Sequence, residues 1–312
     1  MDFRDYWDDT RVRIEEELAE WTPRFFRDLP PQQVDHIRQL LQDGKRLRGC
    51  LTCLVNRALG GRIEDAIPRA IAIECIQAAS LIHDDYVDGD TVRRNHPAQW
   101  TIEGPRKAVL LGDVVFATVI QRMAEIGCSD GMAAAEAIAT VAQGAYLEFL
   151  EPADLARAIA DGRYRRNHYE RVIHLKTGAL FGAAARLGAL SARAGPELCD
   201  LAFRYGARIG EAYQIADDLH DLLHPDGRIT DATQLALLFL HFTDGIDAWR
   251  RDGFRSWCDA ARPVLQERMM EAVRTRVGLA VSEAARFPDN AHAPLLHTAP
   301  AEIVRMMEST AI

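Results

Sequence analysis

The sequence predicts an all-α protein built as a single domain. Apolar residues recur with helical spacing along most of the 312 residues, and no stretch of the sequence shows the sustained alternation of a half-buried β-strand. Hydrophobic residues make up 48% of the chain, which is enough for one large core, and no long linker or low-complexity tract divides it. We therefore expect residues 1–312 to form one helical bundle.

Helical periodicity places the main helices in order along the chain, with shorter ones at both termini. They are expected at residues 31–43, 46–59, 68–89, 106–126, 131–150, 167–190, 196–223, 231–250 and 260–286. Proline and glycine mark turns between several of them, at residues 29–31, 104–105, 195–196 and 224–227.

Two of these helices have a further physical signature. Pro68 and Pro196 fit a first helical turn, where a missing N–H group costs nothing. Residues 71–82, within the helix that we expect to begin at Pro68, are apolar on nearly every face. A helix of this kind packs on most of its sides, so we expect it at the centre of the bundle.

The net charge and the N-terminal sequence limit the classes of partner. A net charge of −9 argues against nucleic acid, because phosphate backbones are bound by basic surfaces. Residues 1–9 are acidic and lack the basic and apolar parts of a signal peptide, and no apolar run is long enough to span a bilayer. We expect a cytoplasmic protein without a transmembrane segment.

The six cysteines are scattered, and only Cys50 and Cys53 form a CxxC pair. This pair lies in an apolar sequence without a second pair or a nearby histidine cluster. Core packing is therefore favoured over zinc or redox chemistry.

Two Asp-Asp-x-x-Asp runs carry the most specific chemical signal. They occupy residues 84–88 and 217–221, each at the end of a long, mostly apolar stretch, where unpaired carboxylates are costly. On a helix, the first and last residues of each run share a face and can grip a hard cation through oxygen. Two such clamps facing one cavity would hold a diphosphate between magnesium ions. The alternative is a pair of solvated acidic helix ends.

Cationic residues accompany these runs. Arg93 and Arg94 follow the first run, and their guanidinium groups match phosphate oxygens, although they could also only neutralise neighbouring aspartates. Lys45 and Arg48 stand at the start of a helix, where exposed N–H groups also favour anions.

Two more polar residues lie within apolar helices. Gln77 is two turns before Asp84 on nearly the same face, so its amide could donate to an anion or could be a buried structural amide. Lys176 interrupts another apolar helix, and it needs an anionic partner unless its side chain reaches the surface.

In this order the motifs resemble those of the trans-isoprenyl diphosphate synthase, or polyprenyl synthetase, family. The resemblance covers most of the chain and implies an all-α isoprenoid synthase fold, usually a homodimer, whose helices surround a deep central cavity. It rests on residues 44–48, 80–88, 93–94, 111–113, 176–181 and 213–221.

The resemblance also implies a role for each motif residue. The metal ligands, which would hold about three magnesium ions, are Asp84, Asp85, Asp88, Asp217, Asp218 and Asp221. The residues that would bind substrate are Lys45, Arg48, Gln77, Arg93, Arg94, Lys176 and Gln214. The residues that would act in catalysis are Asp84, Asp85, Asp88, Lys176, Thr177, Gln214 and Asp217.

The implied reaction is elongation of an allylic diphosphate by isopentenyl diphosphate. Magnesium and cationic side chains stabilise the departing diphosphate, and the resulting allylic cation alkylates the double bond of isopentenyl diphosphate. Loss of a proton to the released diphosphate then restores a double bond and ends the cycle. Oxygens near Thr177 and Gln214 would stabilise the cation. Ala79 and Ser80, just below the first run, are small, which favours an all-trans product of geranylgeranyl length or longer.

Two segments depart from the family pattern. The loop at residues 224–231 is short and lacks the usual lysine, and residues 144–148 read Gly-Ala-Tyr-Leu-Glu where the family commonly has Gly-Glu-x-x-Gln.

Two other functions compete with this one. A class I terpene cyclase would also ionise an allylic diphosphate, but it would not need Lys45 and Arg48. A non-catalytic subunit would have no need to hold so many carboxylates together.

Overall fold

The protein is almost entirely helical in the computed structural model, which describes residues 2–94, 96–148, 151–223, 232–243 and 254–308. The helices are α1 (Phe3–Phe25), α2 (Pro31–Leu40), α3 (Leu47–Ala58), α4 (Ile63–Asp88), α5 (Gln99–Glu103), α6 (Pro105–Ile126), α7 (Cys128–Leu147), α8 (Pro152–Ala160), α9 (His168–Ile173), α10 (Ala179–Ser191), α11 (Pro196–Leu223), α12 (Ala232–Phe242), α13 (Phe254–Ala284) and α14 (Ala293–Glu308). A π-helical turn, His174–Gly178, joins α9 to α10, and strands β1 (Val92–Arg93) and β2 (His96–Pro97) form a short antiparallel hairpin. The predicted all-α class is confirmed.

The start of α4 differs from the prediction, whereas the start of α11 at Pro196 is confirmed. Helix α4 begins at Ile63, so Pro68 lies in its second turn and removes one backbone hydrogen bond. Two effects offset that loss. Ala66 and Ile67 are buried, and two carboxylates lie in the first turn, where the helix dipole favours negative charge.

Helix α1 is much longer than the short terminal helix that the sequence predicted. Its N-terminus is capped by Asp2, whose side chain accepts a hydrogen bond from the Asp5 N–H group at 2.9 Å. Trp7, Ile14 and Leu18 are spaced along one face and are buried in the main core. This face is easily missed in the sequence because the remaining positions are densely charged.

The other predicted helices are confirmed with shifted ends, and two short helices, α5 and α8, were not predicted. The predicted helix at 231–250 ends at Phe242 as α12, and its last residues, 244–250, lie outside the described residues. The short loop at 224–231 and residues 149–150 also lie outside them.

The central position predicted for α4 is confirmed. It packs against α3, α6 and α10, and Ile71, Ile73 and Ile76 have no exposed surface. A second, smaller apolar cluster, formed by α8, α9, α11, α12 and α13, includes Phe239 and Leu265. Helix α11 contributes to both clusters, so the core fixes the two helices that carry the aspartate runs.

The CxxC pair belongs to the core. Cys50 and Cys53 are buried and not disulfide-bonded, and burial raises the pKa of Cys53 to about 12, which keeps its thiol protonated. Across the ranges that the structure describes, no helix is both long and apolar enough to cross a membrane.

We predict that Gly188→Ala destabilises the bundle, because α10 approaches α3 closely at this glycine. A Cβ atom at Gly188 would lie 2.3 Å from the carbonyl oxygen of Thr52. Overpacking of this kind costs about 1–3 kcal/mol, which thermal denaturation followed by circular dichroism would detect. In the matched control, Gly195→Ala, nothing lies within 4 Å of the added methyl group. Equal melting temperatures for the two variants would contradict the packing described.

Candidate active site

The two aspartate runs lie at the C-terminal ends of α4 and α11. The first run ends α4 at Asp88, and Gly89 stops the helix in the left-handed conformation, with a φ of 73°. Asp84 and Asp88 are one turn apart, so their side chains share a face. The second run, residues 217–221, occupies the last turns of α11. Both runs stand where a packed helix leaves the core.

The π-helical turn between α9 and α10 connects the two runs. The Lys176 ammonium group donates to Glu148 Oε2 at 2.6 Å and lies 4.0 Å from Asp84 Oδ1. The neighbouring Thr177 hydroxyl donates to Gln214 Oε1 of α11 at 2.8 Å. Adjacent residues of one turn therefore reach both sides of the site, and the expected anionic partner of Lys176 is confirmed.

Close packing holds this turn in place. A Cβ atom at Gly144 of α7 would lie 2.6 Å from the Lys176 backbone nitrogen, so glycine is needed for this approach. His174, the first residue of the turn, lies with Nδ1 2.8 Å from Glu211 Oε1 of α11. The turn is thus fixed against the helices on either side of it, which fixes the direction of Lys176 and Thr177.

Asp85 and Arg93 form a largely buried ion pair beside the first run. Asp85 is 4% exposed, and Arg93 Nε donates to its Oδ1 at 2.6 Å. Arg93 Nη2 also lies 3.1 Å from Asp90 Oδ2. The structure therefore shows the neutralising role that the sequence left open for Arg93, and the pair ties the β1–β2 hairpin to α4.

Asp218, in the second run, is held by donors from two elements. The Tyr169 hydroxyl of α9 donates to Oδ2 at 2.5 Å, and Gln214 Nε2 donates to Oδ1 at 2.9 Å. The chain of hydrogen bonds continues from Gln214 to Thr177 in the π turn. Burial raises the pKa of Asp218 to about 7, against the lowering effect of its two donors. No pattern in the sequence indicated Tyr169 as a site residue.

The carboxylates of the first run are partly buried, and Lys176 compensates for only part of their negative charge. Burial raises the pKa of Asp84, and it raises that of Asp88 to about 6, while Lys176 acts in the opposite direction on both. Burial also opposes the charge of Lys176, but Asp84 and Glu148 outweigh it and raise the pKa of the ammonium group. A cation bound near Asp84 and Asp88 would supply the missing charge.

The donor set at this end of the site fits a hard divalent cation. It consists of carboxylate oxygens, with Asp84 and Asp88 on α4 and Asp217 on α11 as the residues that could hold an ion. Among the described residues, no group of three or more His, Cys, Asp or Glu side chains forms a preformed metal site. Asp221, whose Oδ1 lies 3.5 Å from His220 Nδ1, is turned toward that histidine.

Cationic side chains gather next to the second run. Arg94 lies close enough to Lys45 and Arg48 to repel both, and Asp217 attracts Lys45. Burial is the main cause that lowers the pKa of all three cations, that of Arg48 to about 10. The Arg48 guanidinium group lies 4.3 Å from the centre of the Phe181 ring, and its Nε finds no acceptor within the described part of the chain. Such cations suit an anion with several oxygens.

Backbone carbonyls also hold two of these cations. Lys45 Nζ donates to the Met306 carbonyl oxygen of α14 at 3.3 Å, and Arg94 Nη1 donates to that of Gln42 at 3.2 Å. Gln77 is half-buried on α4, two turns before the first run. The structure therefore brings Lys45, Arg48 and Arg94 together, and it places Gln77 on the same helix as the first carboxylates.

Glu148 is a second site residue that the sequence did not assign. In the sequence, residues 144–148 stood out only as a departure from the family pattern, because Ala145 replaces the usual glutamate. The structure instead brings the Glu148 carboxylate to Lys176. The available signal was an acidic residue inside a family motif, but no local pattern pairs it with a lysine 28 residues away.

Comparison with known proteins identifies the family. The profile described as polyprenyl synthetase matches residues 31–231. The chain belongs to the polyprenyl synthetase family. It is 37% identical over 187 residues to a geranylfarnesyl diphosphate synthase of Aeropyrum pernix, covering 56% of this chain and 57% of that one. It is 32% identical over 227 residues to a short chain isoprenyl diphosphate synthase of Methanothermobacter thermautotrophicus, covering 70% and 65%. The matches thus span less than two thirds of these curated relatives.

Solved structures agree with this polyprenyl synthetase assignment. A decaprenyl diphosphate synthase from Rhodobacter capsulatus superposes with a TM-score of 0.72 and 26% identity, covering 97% of each chain. A polyprenyl synthase from Caulobacter crescentus CB15, complexed with calcium and isoprenyl diphosphate, gives 0.71 and 27%, covering 95% of this chain and 97% of that one. These relatives give no support to the terpene cyclase or to the non-catalytic subunit.

We predict that Tyr169→Phe lowers the free energy of unfolding by about 1–3 kcal/mol, because a buried carboxylate loses a donor. Urea denaturation of the metal-free protein would measure the change. Tyr146→Phe is the matched control, since Tyr146 is 90% exposed in the single chain and phenylalanine keeps its apolar ring. Equal stabilities of the two variants would show that the Tyr169–Asp218 bond does not support the site.

Proposed function

We propose that the protein is a magnesium-dependent prenyltransferase that condenses an allylic diphosphate with isopentenyl diphosphate. The product would be a longer all-trans polyprenyl diphosphate. The observation that carries the proposal is the separation of uncompensated charge at one site. Asp84 and Asp88 at the end of α4 have raised pKa values, whereas the cations Lys45, Arg48 and Arg94 have lowered pKa values. A magnesium diphosphate supplies both of the missing charges.

The allylic diphosphate would lie between the two runs. Asp84, Asp88 and Asp217 would hold magnesium ions, which when bound offset the negative charge of the leaving diphosphate. Asp85 and Asp218 would contribute by keeping Arg93 and Gln214 in place.

Lys176 would donate to diphosphate oxygens next to the first run. Its ammonium group already lies between the carboxylates of Asp84 and Glu148, and carboxylate pairing keeps it charged. Charge-assisted hydrogen bonds of this kind strengthen as negative charge develops on the departing group, which is the condition for accelerating the ionisation step.

Isopentenyl diphosphate would bind at the cation group. Lys45, Arg48 and Arg94 would take its diphosphate, with Gln77 as a further donor. Phe181 supports Arg48 from one side and packs against Tyr213 with ring centres 5.7 Å apart, so the guanidinium group is held rather than free to fold away.

Neutral oxygens would then face the allylic cation. Thr177 and Gln214 share one hydrogen bond, and Gln214 spends its amide N–H group on Asp218. The remaining lone pairs of these neutral oxygens can stabilise the positive charge. A thiolate or an amine would instead form a covalent bond to the cation. The apolar bundle around α4 would keep water from the cation.

The product would be of geranylgeranyl length or longer. Ala79 and Ser80 are both small and buried on α4 just below the first run. Phe116 of α6 packs edge-on against His83, with ring centres 5.5 Å apart, which places its ring beside that run. The floor of the elongation cavity would be formed by Phe116, Ile120 and Met123.

We predict that the purified protein with magnesium, isopentenyl diphosphate and a dimethylallyl, geranyl or farnesyl primer forms products longer by isoprene units, identified by mass spectrometry. Asp84→Ala and Asp217→Ala should each lower turnover by about a hundredfold or more, since each removes charge at the site where diphosphate leaves. Asp161→Ala, at an exposed position after α8, is the control and should retain turnover.

Failure to elongate any primer would refute the proposed activity. A cyclic hydrocarbon from one allylic substrate would identify a cyclase instead, and tight binding of substrates without turnover would identify a non-catalytic subunit. Wild-type rates in either aspartate variant would refute the metal assignment alone.

We also propose a cytoplasmic homodimer in which each chain is a single domain. Exposed apolar residues recur at seven-residue intervals along both α6 and α7, which pack on each other. They are Leu110, Ala117 and Ala124 on α6, and Met132, Ala139 and Tyr146 on α7. Side chains at this spacing form a stripe along a helix, and a stripe this apolar suits a second copy of the chain.

Light scattering after size-exclusion chromatography should therefore give twice the chain mass of 34.8 kDa. The double variant Leu110→Glu/Tyr146→Glu should give one chain mass, because it places carboxylates in the apolar stripe. Val12→Glu changes an exposed valine on α1 and should remain dimeric. A monomeric wild-type protein would refute the dimer.

A further inference from the structure

Glu148 brings an additional negative charge into the site. It follows the last residue of α7, and its backbone N–H group closes that helix on the Gly144 carbonyl oxygen at 3.2 Å. Its side chain turns inward and is 18% exposed. The carboxylate reaches Lys176 at 2.6 Å, the shortest distance at which this lysine contacts an acidic group among the described residues.

Lys176 therefore lies near two carboxylates, at unequal distances from them. Glu148 holds it at hydrogen-bonding distance, while Asp84 lies 4.0 Å away on the other side. Glu148 is also near enough to act on the charges of both Asp84 and Asp88. Lys176 thus faces three carboxylates. Arg93 also acts on Asp84, but it is paired with Asp85 and Asp90, so this side of the site keeps an excess of negative charge.

We propose that Glu148 is a positioning residue that holds Lys176 beside the first aspartate run and sets the balance between anion and cation binding there. The inference rests on the proposed function. A diphosphate that approaches Lys176 must compete with Glu148 for the ammonium group and is repelled by its charge. A divalent cation at Asp84 and Asp88 is attracted by the same charge.

This role predicts opposite changes in two affinities when the charge alone is removed. Glutamine at position 148 keeps an oxygen that can accept from Lys176, so the tether survives while the negative charge is lost. Anion binding should then strengthen and cation binding weaken. A residue that only closes the end of α7 would change neither affinity, or would weaken both by disturbing the fold.

The test compares the wild-type protein with Glu148→Gln. Calorimetry with inorganic pyrophosphate and a chelator measures anion binding without metal, and the magnesium concentration at half-maximal thermal shift measures cation binding without diphosphate. We expect pyrophosphate to bind about three- to tenfold more tightly and the magnesium midpoint to rise by a similar factor, the size of one charge at this range.

Two further variants make the result specific. Glu136→Gln is the matched control, because Glu136 is exposed on the same helix and pairs with Arg186 at 3.1 Å. It should leave both affinities at wild-type values. In a Lys176→Gln background, the gain in pyrophosphate affinity from Glu148→Gln should shrink, because part of it comes from releasing the lysine.

Unchanged affinities in Glu148→Gln, or a loss of both, would overturn the role of Glu148; melting curves without ligand show whether the variant is folded. If the wild-type protein elongates no primer but the two affinities move in opposite directions, the proposed function fails and the role of Glu148 stands. If the wild type elongates a primer but the affinities of the variant are unchanged, the proposed function stands and the role of Glu148 fails. Absence of any pyrophosphate binding to the wild type, with or without magnesium, would overturn both.

Discussion

The structure depends on holding like charges together at the ends of helices that the core has already fixed. Burial raises the pKa of both Asp84 and Asp88, and repulsion by neighbouring carboxylates, including Glu148, adds to the rise. Helix α4 can bear this cost because its apolar residues pack against α3, α6 and α10. The free energy of burial in the core thus maintains a site whose charge only a ligand completes.

The cation group next to the second run has the opposite imbalance, an excess of positive charge. Lys45, Arg48 and Arg94 are partly desolvated, and each has a lowered pKa. If these cations met the carboxylates of the first run directly, the two sets would neutralise each other and neither would need a ligand. Arg48 lies on α3 and Arg94 follows β1, whereas the carboxylates lie on α4, so two differently charged parts of a substrate complex can be recognised in one site.

The π turn links the two aspartate runs. Lys176 reaches the first run and Thr177 reaches the second through Gln214, although the two residues are adjacent in sequence. Close packing at Gly144 fixes the turn, so a displacement of α7 would move both contacts at once. Glu148 comes from the same helix, which couples its charge to the position of the turn.

Helical periodicity was enough to determine the all-α class and the central place of α4, and the two aspartate runs marked the ends of α4 and α11 as the candidate site. Both signals are local, because they repeat within one or two turns of a helix. Only the tertiary structure decided that Tyr169 holds Asp218 across 49 residues and that Glu148 holds Lys176 across 28. It also decided that α4 starts before Pro68, because buried contacts with other helices outweigh one missing hydrogen bond. Such pairings depend on which helices pack together, and no spacing within a single segment of sequence records that.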